Sequence, residues 1–199
     1  VSDLVVIDSG VANLGSVLAA LERAGIAATL SVEPARIRAA SHVILPGVGA
    51  AQAAMRQLEA RGLVDVIRGL SQPVLGICLG MQLLFEASDE GDTACLGVLP
   101  GRVQRFAALP GLRVPHMGWN RLEPTRPHAL TAGMGDAAYA YFVHSYRVPE
   151  AAYTLAACEH GERFSAIVAH RNFHGAQFHP ERSAAVGARL LQNFVGLAA

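Results

Sequence analysis

The sequence predicts an α/β fold: a mostly parallel central sheet with helices on both faces, plus antiparallel strands in the second half. Three observations carry that expectation. A short apolar run, a loop and an amphipathic stretch follow one another three times in the first half of the chain. These runs are apolar at nearly every position rather than at alternate ones, as in strands covered on both faces. In the second half the pattern changes to strand-like segments separated by turn residues.

The first run, residues 4–7, is Leu-Val-Val-Ile and ends at Asp8-Ser9-Gly10. Asn13 then precedes Val17, Leu18, Leu21 and Ala24, a helical stripe closed by Gly25. The second run, residues 42–45, ends in Pro46-Gly47-Val48-Gly49 and leads into a helical stretch from Ala50 to Arg61. The third, residues 73–78, is Pro-Val-Leu-Gly-Ile-Cys, and a helix is expected from Leu79 to Ala87. Residues 97–106, 112–119, 139–148 and 164–170 read as strands, expected as antiparallel additions to the parallel sheet. A last strand near residues 175–179 precedes Ser183 and a helix with apolar positions Val186, Leu190, Leu191, Phe194 and Val195.

At 199 residues the chain is expected to form one domain over 1–199, taking about 150 residues per domain as a guide. Its 16 basic and 16 acidic residues balance, which gives no support to a nucleic-acid or membrane-surface partner. All 16 basic residues are arginine, so chemistry that uses a lysine amine is excluded. No stretch approaches the ~20 apolar residues of a membrane span. The first residues lack the pattern of a signal peptide. Three cysteines without a CxxC pair fit a reducing cytoplasm better than a disulfide framework or a zinc site. The eight histidines show no metal-ligand spacing, so neither a metal nor another cofactor is expected.

Gly76-Ile77-Cys78-Leu79-Gly80 stands where a strand turns sharply into a helix, the setting of a nucleophile elbow with Cys in place of Ser. The helix start beyond Cys78 favours the thiolate, the reactive form. The Leu79 N–H points where an oxyanion would form. A second N–H is expected from Gly47-Val48-Gly49, and spacing does not decide which of the three gives it. Cys95 and Cys158 lack such a setting and read as buried structural thiols. His179 and Glu181 share a face if the segment is extended, which places the carboxylate to orient the imidazole. Cys78, His179 and Glu181 thus make a set of nucleophile, general acid/base and orienting group. His144, between Phe142 and Tyr146, reads as a structural or pocket-lining histidine rather than a second base.

These residues resemble the class I (triad) glutamine amidotransferases, and among them the glutaminase subunits of imidazole glycerol phosphate synthase. The matching blocks run in order along nearly the whole chain: residues 7–14, 45–49, 76–86, 115–120, 141–146 and 175–183. The elbow and the His179-Pro180-Glu181 block mark the wider family. The blocks 116–120 and 141–146 are far more specific.

The resemblance implies a flavodoxin-like amidotransferase fold and hydrolysis of L-glutamine to glutamate and ammonia through a thioester on Cys78. It implies an oxyanion hole from Val48 and Leu79, and a substrate pocket with Gly49, Gln82, Glu90, Ser145 and Tyr146. Glu90 would meet the substrate ammonium. It also implies a partner, a barrel-type synthase subunit in a heterodimer, docked at Val11, Asn13, Trp119, Tyr141 and Arg182. Trp119 and Tyr141 could equally serve as core packing.

Two departures stand out. The first block reads Ser9-Gly10-Val11-Ala12-Asn13 where the family often has Tyr-Gly-x-Gly-Asn. Arg182 stands where lysine is usual, which keeps the charge and changes the hydrogen-bond geometry. The competing readings are a glutaminase subunit of another amidotransferase, a cysteine peptidase on the same fold, and a catalytically silent regulatory subunit.

Overall fold

The structure, a computed structural model, describes residues 3–8, 10, 13–135 and 137–198. The apolar runs of the first half become neighbouring strands. β1 (Leu4–Ile7) leads to α1 (Leu14–Arg23), whose start is capped by Asn13, the side chain accepting the Ser16 N–H. β2 (Ala28–Ser31), α2 (Pro34–Ala39), β3 (His42–Gly47), α3 (Ala51–Ala60) and α4 (Val64–Arg68) follow. β4 (Val74–Cys78) turns into α5 (Leu79–Leu83). β2, β1, β3 and β4 lie side by side in that order, all parallel.

Successive strand side chains point to opposite faces. Leu4, Val6, Ile44, Leu75 and Ile77 join one core with α1 and the C-terminal α6 (Ala184–Val195). Val5, Ile7, Val43, Leu45 and Val74 join the other, with α2, α3, α4 and α5. Both faces are buried, which is why these strands need no polar alternation.

The rest of the chain holds β5 (Ala87–Ser88), β6 (Thr93–Ala94), β7 (Arg102–Arg105), β8 (His116–Arg121) and β9 (Glu123–Pro124). β10 (Tyr139–His144), β11 (Tyr146–Arg147), β12 (Thr154–His160), β13 (Glu162–His170) and β14 (Phe173–Ala176) complete it. β14 joins the main sheet parallel to β4, and β13, β12 and β9 continue it antiparallel. The expected antiparallel strands are present, but they divide among three sheets. β8 and β10 form a sheet of their own, and β11, β7, β5 and β6 form another. The segment 139–148, expected as one strand, breaks at Ser145 as it passes from β10 to β11.

The helix expected from Leu79 to Ala87 ends at Leu83. Backbone N–H groups of Leu96, Gly97 and Val98 take the carbonyls of Leu83, Phe85 and Leu84. The returning chain thus satisfies the groups that a longer helix would have used. β3 and β4 end at the same edge of the sheet, and the chain beyond β14 returns there, where open α/β sheets hold their ligands.

Candidate active site

Cys78 sits at the turn from β4 to α5 with φ 54° and ψ −112°. Holding a non-glycine residue there costs on the order of 1–3 kcal/mol, so close packing must enforce it. Gly80 provides that packing: a Cβ on it would lie 1.8 Å from the Leu45 carbonyl oxygen, so only glycine lets α5 lie this near β3. A Cβ on Gly47 would lie 2.9 Å from the Gly80 nitrogen, which brings the loop after β3 against the same turn. The register pairs Gly47 with Cys78, so Val48 and Gly49 leave the sheet beside Leu79. Cys78, Leu79, Val48 and Gly49 line one cavity of about 440 Å³. With only five residues in α5, electrostatic support for an anion falls to its first-turn N–H groups, which have no acceptor within the helix.

β14 ends at Ala176, and residues 180–182 form a 3-10 turn. The expectation that an extended segment aligns His179 with Glu181 is corrected: the tight turn brings the carboxylate back to the ring. His179 Nδ1 lies 2.8 Å from Glu181 Oε1. Ser183 Oγ donates to the His179 carbonyl at 2.7 Å and accepts the Tyr141 N–H at 2.9 Å. The His179 N–H donates to the Tyr141 carbonyl at 3.0 Å, which closes a clamp around the turn. Burial opposes the imidazolium, but hydrogen bonds and charge from Cys78 and Glu181 outweigh it and push His179 up to about 10. A ring that keeps its proton beside Cys78 is the electropositive setting that a reactive cysteine needs. Cys95 and Cys158, by contrast, are buried thiols pushed up to about 11 and about 12 by desolvation.

The other expected pocket residues gather around this pair. Gln82, Glu90, Ser145 and Tyr146 all line the cavity. Glu90 Oε2 accepts the Ala51 N–H at 2.7 Å, which anchors the carboxylate at the start of α3. Gln82 Nε2 donates to the Tyr146 carbonyl at 3.0 Å.

His144 also lines the cavity, as a structural residue. Its Nδ1 lies 2.7 Å from the Tyr146 carbonyl, which can only accept, so Nδ1 carries the proton. Its Nε2 then accepts from His116 Nδ1 at 3.0 Å, and His116 Nε2 accepts from the Asn120 amide at 3.1 Å. Burial pushes His144 down to about 3 and His116 down to about 4, so both rings are neutral and the chain of donors is consistent.

Asn13 and Arg182 stand at the cavity lining, whereas Trp119 and Tyr141 do not. Trp119 is 54% exposed, so the core-packing use considered for it is set aside. Its ring meets Tyr141 edge-on at 6.0 Å, and the Arg182 guanidinium lies 5.8 Å from the Tyr141 ring centre. A surface patch thus adjoins the cavity through Arg182. Val11 lies outside the described residues.

Sequence reasoning gave no role to Gln177, fully buried between Gln82 and Cys78, or to Ser183 of the clamp. A polar side chain inside the otherwise apolar stretch 175–178 was the available signal for the first.

The family model for class-I glutamine amidotransferases matches residues 5–197. The chain is 56% identical over 194 residues to the imidazole glycerol phosphate synthase subunit HisH of Xanthomonas axonopodis pv. citri, covering 98% of this chain and 97% of that one. Identity to the same-named subunit of Xanthomonas oryzae pv. oryzae is 57%, with the same coverage. Among solved structures, a chain of PurLQS from Thermotoga maritima aligns with a TM-score of 0.72 at 17% identity, covering 98% of this chain and 99% of that one.

Proposed function

Because the chain belongs to the class I glutamine amidotransferases, we infer that it is the glutaminase subunit of an imidazole glycerol phosphate synthase, hydrolysing L-glutamine to glutamate and ammonia in histidine biosynthesis. The observation that carries the chemistry is the meeting of Cys78, on its strained turn, with the His179–Glu181 pair in one cavity.

In this reading Cys78 attacks the side-chain amide carbon of glutamine and His179 gives a proton to the departing nitrogen. Water then attacks the thioester, with His179 as the base. Glu181 orients the imidazole and supports its positive form. N–H groups at Val48 and Leu79 hold the oxyanion. Glu90 keeps one oxygen on the Ala51 N–H and offers the other to the substrate ammonium. Gly49, Gln82, Ser145 and Tyr146 complete the substrate pocket.

The partner is a barrel-type synthase subunit in a heterodimer, docked on Asn13, Trp119, Tyr141, Arg182 and the segment that contains Val11. It uses the ammonia to make imidazole glycerol phosphate and an aminoimidazole carboxamide ribotide. The whole chain, 1–199, acts as one domain, in the cytoplasm. No helix among the described residues is long and apolar enough to cross a membrane.

The test is glutamine turnover by the purified chain, alone and with a barrel synthase partner and its nucleotide ligand. Strong stimulation that disappears in Cys78→Ala is expected. Turnover that ignores an authentic partner would move the chain to another amidotransferase role, and no turnover in either case would leave a silent subunit.

A further inference from the structure

Two amides form a chain of fixed polarity that ends on the nucleophile. The Tyr146 carbonyl can only accept, so the Gln82 group facing it at 3.0 Å is the nitrogen. That nitrogen's second hydrogen goes to Gln177 Oε1 at 2.9 Å. With its oxygen committed, Gln177 has only its NH₂ to turn towards Cys78, and Nε2 lies 3.9 Å from Sγ. Gln177 is fully buried and Gln82 nearly so, so water does not compete for these groups. The amide orientations therefore follow from a backbone carbonyl, with no freedom to flip.

We propose that Gln177 is a further catalytic residue, whose side-chain amide donates a hydrogen bond to Cys78 Sγ and stabilises the sulfur whenever it carries negative charge. A hydrogen bond to a charged acceptor is stronger than one to a neutral acceptor. The Val143 carbonyl, also 3.9 Å from Sγ, has the opposite preference, because it can serve only the protonated thiol. The two groups bracket the sulfur, one for each protonation state.

The inference deepens the glutaminase reading and rests on it for the steps that follow. In acylation the thiolate forms the C–S bond, the C–N bond breaks, and the nitrogen leaves as ammonia with a proton from His179. In hydrolysis water adds to the thioester and passes a proton to His179. The C–S bond then breaks, its electron pair returns to sulfur, and glutamate departs. Sulfur bears its charge before the first step and after the second, and the Gln177 amide faces it at both moments.

The deciding measurement is the pH dependence of Cys78 alkylation by iodoacetamide, in the whole chain, wild type against Gln177→Met. Met keeps the length and removes the donor. In the variant the midpoint of that profile is expected about one pH unit higher, with kcat for glutamine down about tenfold and KM within about twofold. An unshifted midpoint in a folded variant overturns the proposal, whatever kcat does. If Gln177→Met fails to fold, the wild type decides by NMR. The Gln177 side-chain amide resonances must move on alkylation of Cys78, and unmoved resonances overturn the proposal. Alkylation needs no glutamine. A raised midpoint in the variant of a chain that never hydrolyses glutamine would therefore sink the glutaminase reading and leave the hydrogen bond standing.

Discussion

His179, on the turn after β14, and His144, at the end of β10, line the same cavity, yet His179 holds its proton up to about 10 and His144 releases its own at about 3. Burial opposes the charged form in both. The difference lies in what each ring touches. His179 has the Glu181 carboxylate at 2.8 Å and Cys78 beside it, and both favour its charged form. His144 has a carbonyl on one side and a second neutral imidazole on the other. A cationic acid/base and a neutral structural link can therefore share one pocket wall, provided that only one of them is given an anion.

Four changes test this contrast. The largest effect is expected from Cys78→Ala, which removes the nucleophile and one of the two groups that hold the His179 proton. Glutamine hydrolysis should fall by at least about 10⁴-fold while partner binding persists, and substantial residual turnover would break the assignment.

Acid is next. His116 and His144 have folded values of about 4 and about 3, below their ordinary 6.5, and His174, buried and lowered to about 4, adds to them. Between those values the unfolded chain binds more protons. Their contribution is therefore complete above pH 6.5 and lost as pH falls towards 4 and 3, at up to roughly 1.4 kcal/mol per pH unit for each group. His179 has the opposite sign: its contribution is present below 6.5 and is lost as pH rises through about 10. Denaturant midpoints at pH 7 and pH 5 should differ clearly. Equal midpoints would mean that the neutral chain of histidines is not held.

Glu181→Gln should slow turnover about 10- to 100-fold, less than Cys78→Ala, and shift the alkaline limb of the rate profile downwards as His179 loses its anion. Losses equal to those of Cys78→Ala would give Glu181 a role beyond orientation. The smallest effect is expected from Trp119→Ala, on the strand that carries His116. Affinity for the barrel partner should weaken about tenfold in a titration, with the unpartnered turnover unchanged.

The parts legible in the sequence were those buried on both sides. β1, β3 and β4 announce themselves because nearly every position is apolar, and the elbow does so because two glycines flank Cys78 at a strand end. β2 is an edge strand with two exposed residues, Thr29 and Leu30, and offers no such run. β5 and β6 have two residues each, too few for any period. β12 is rich in alanine and carries no strong preference of its own. In the site, Cys78, His179 and Glu181 were readable from spacing within short blocks. The link from Gln82 to Gln177 joins residues 95 positions apart, and only folding reveals it.

The exposed indole of Trp119 has a practical consequence. It is the only tryptophan in the chain, and about half of its surface is open. The intrinsic tryptophan fluorescence of the free protein therefore comes from a single wet chromophore beside the cavity rim. A blue shift on mixing with a tryptophan-free partner would report drying at that one position rather than an average over the molecule. The sequence thus supplies its own site-specific optical probe, with no label to attach.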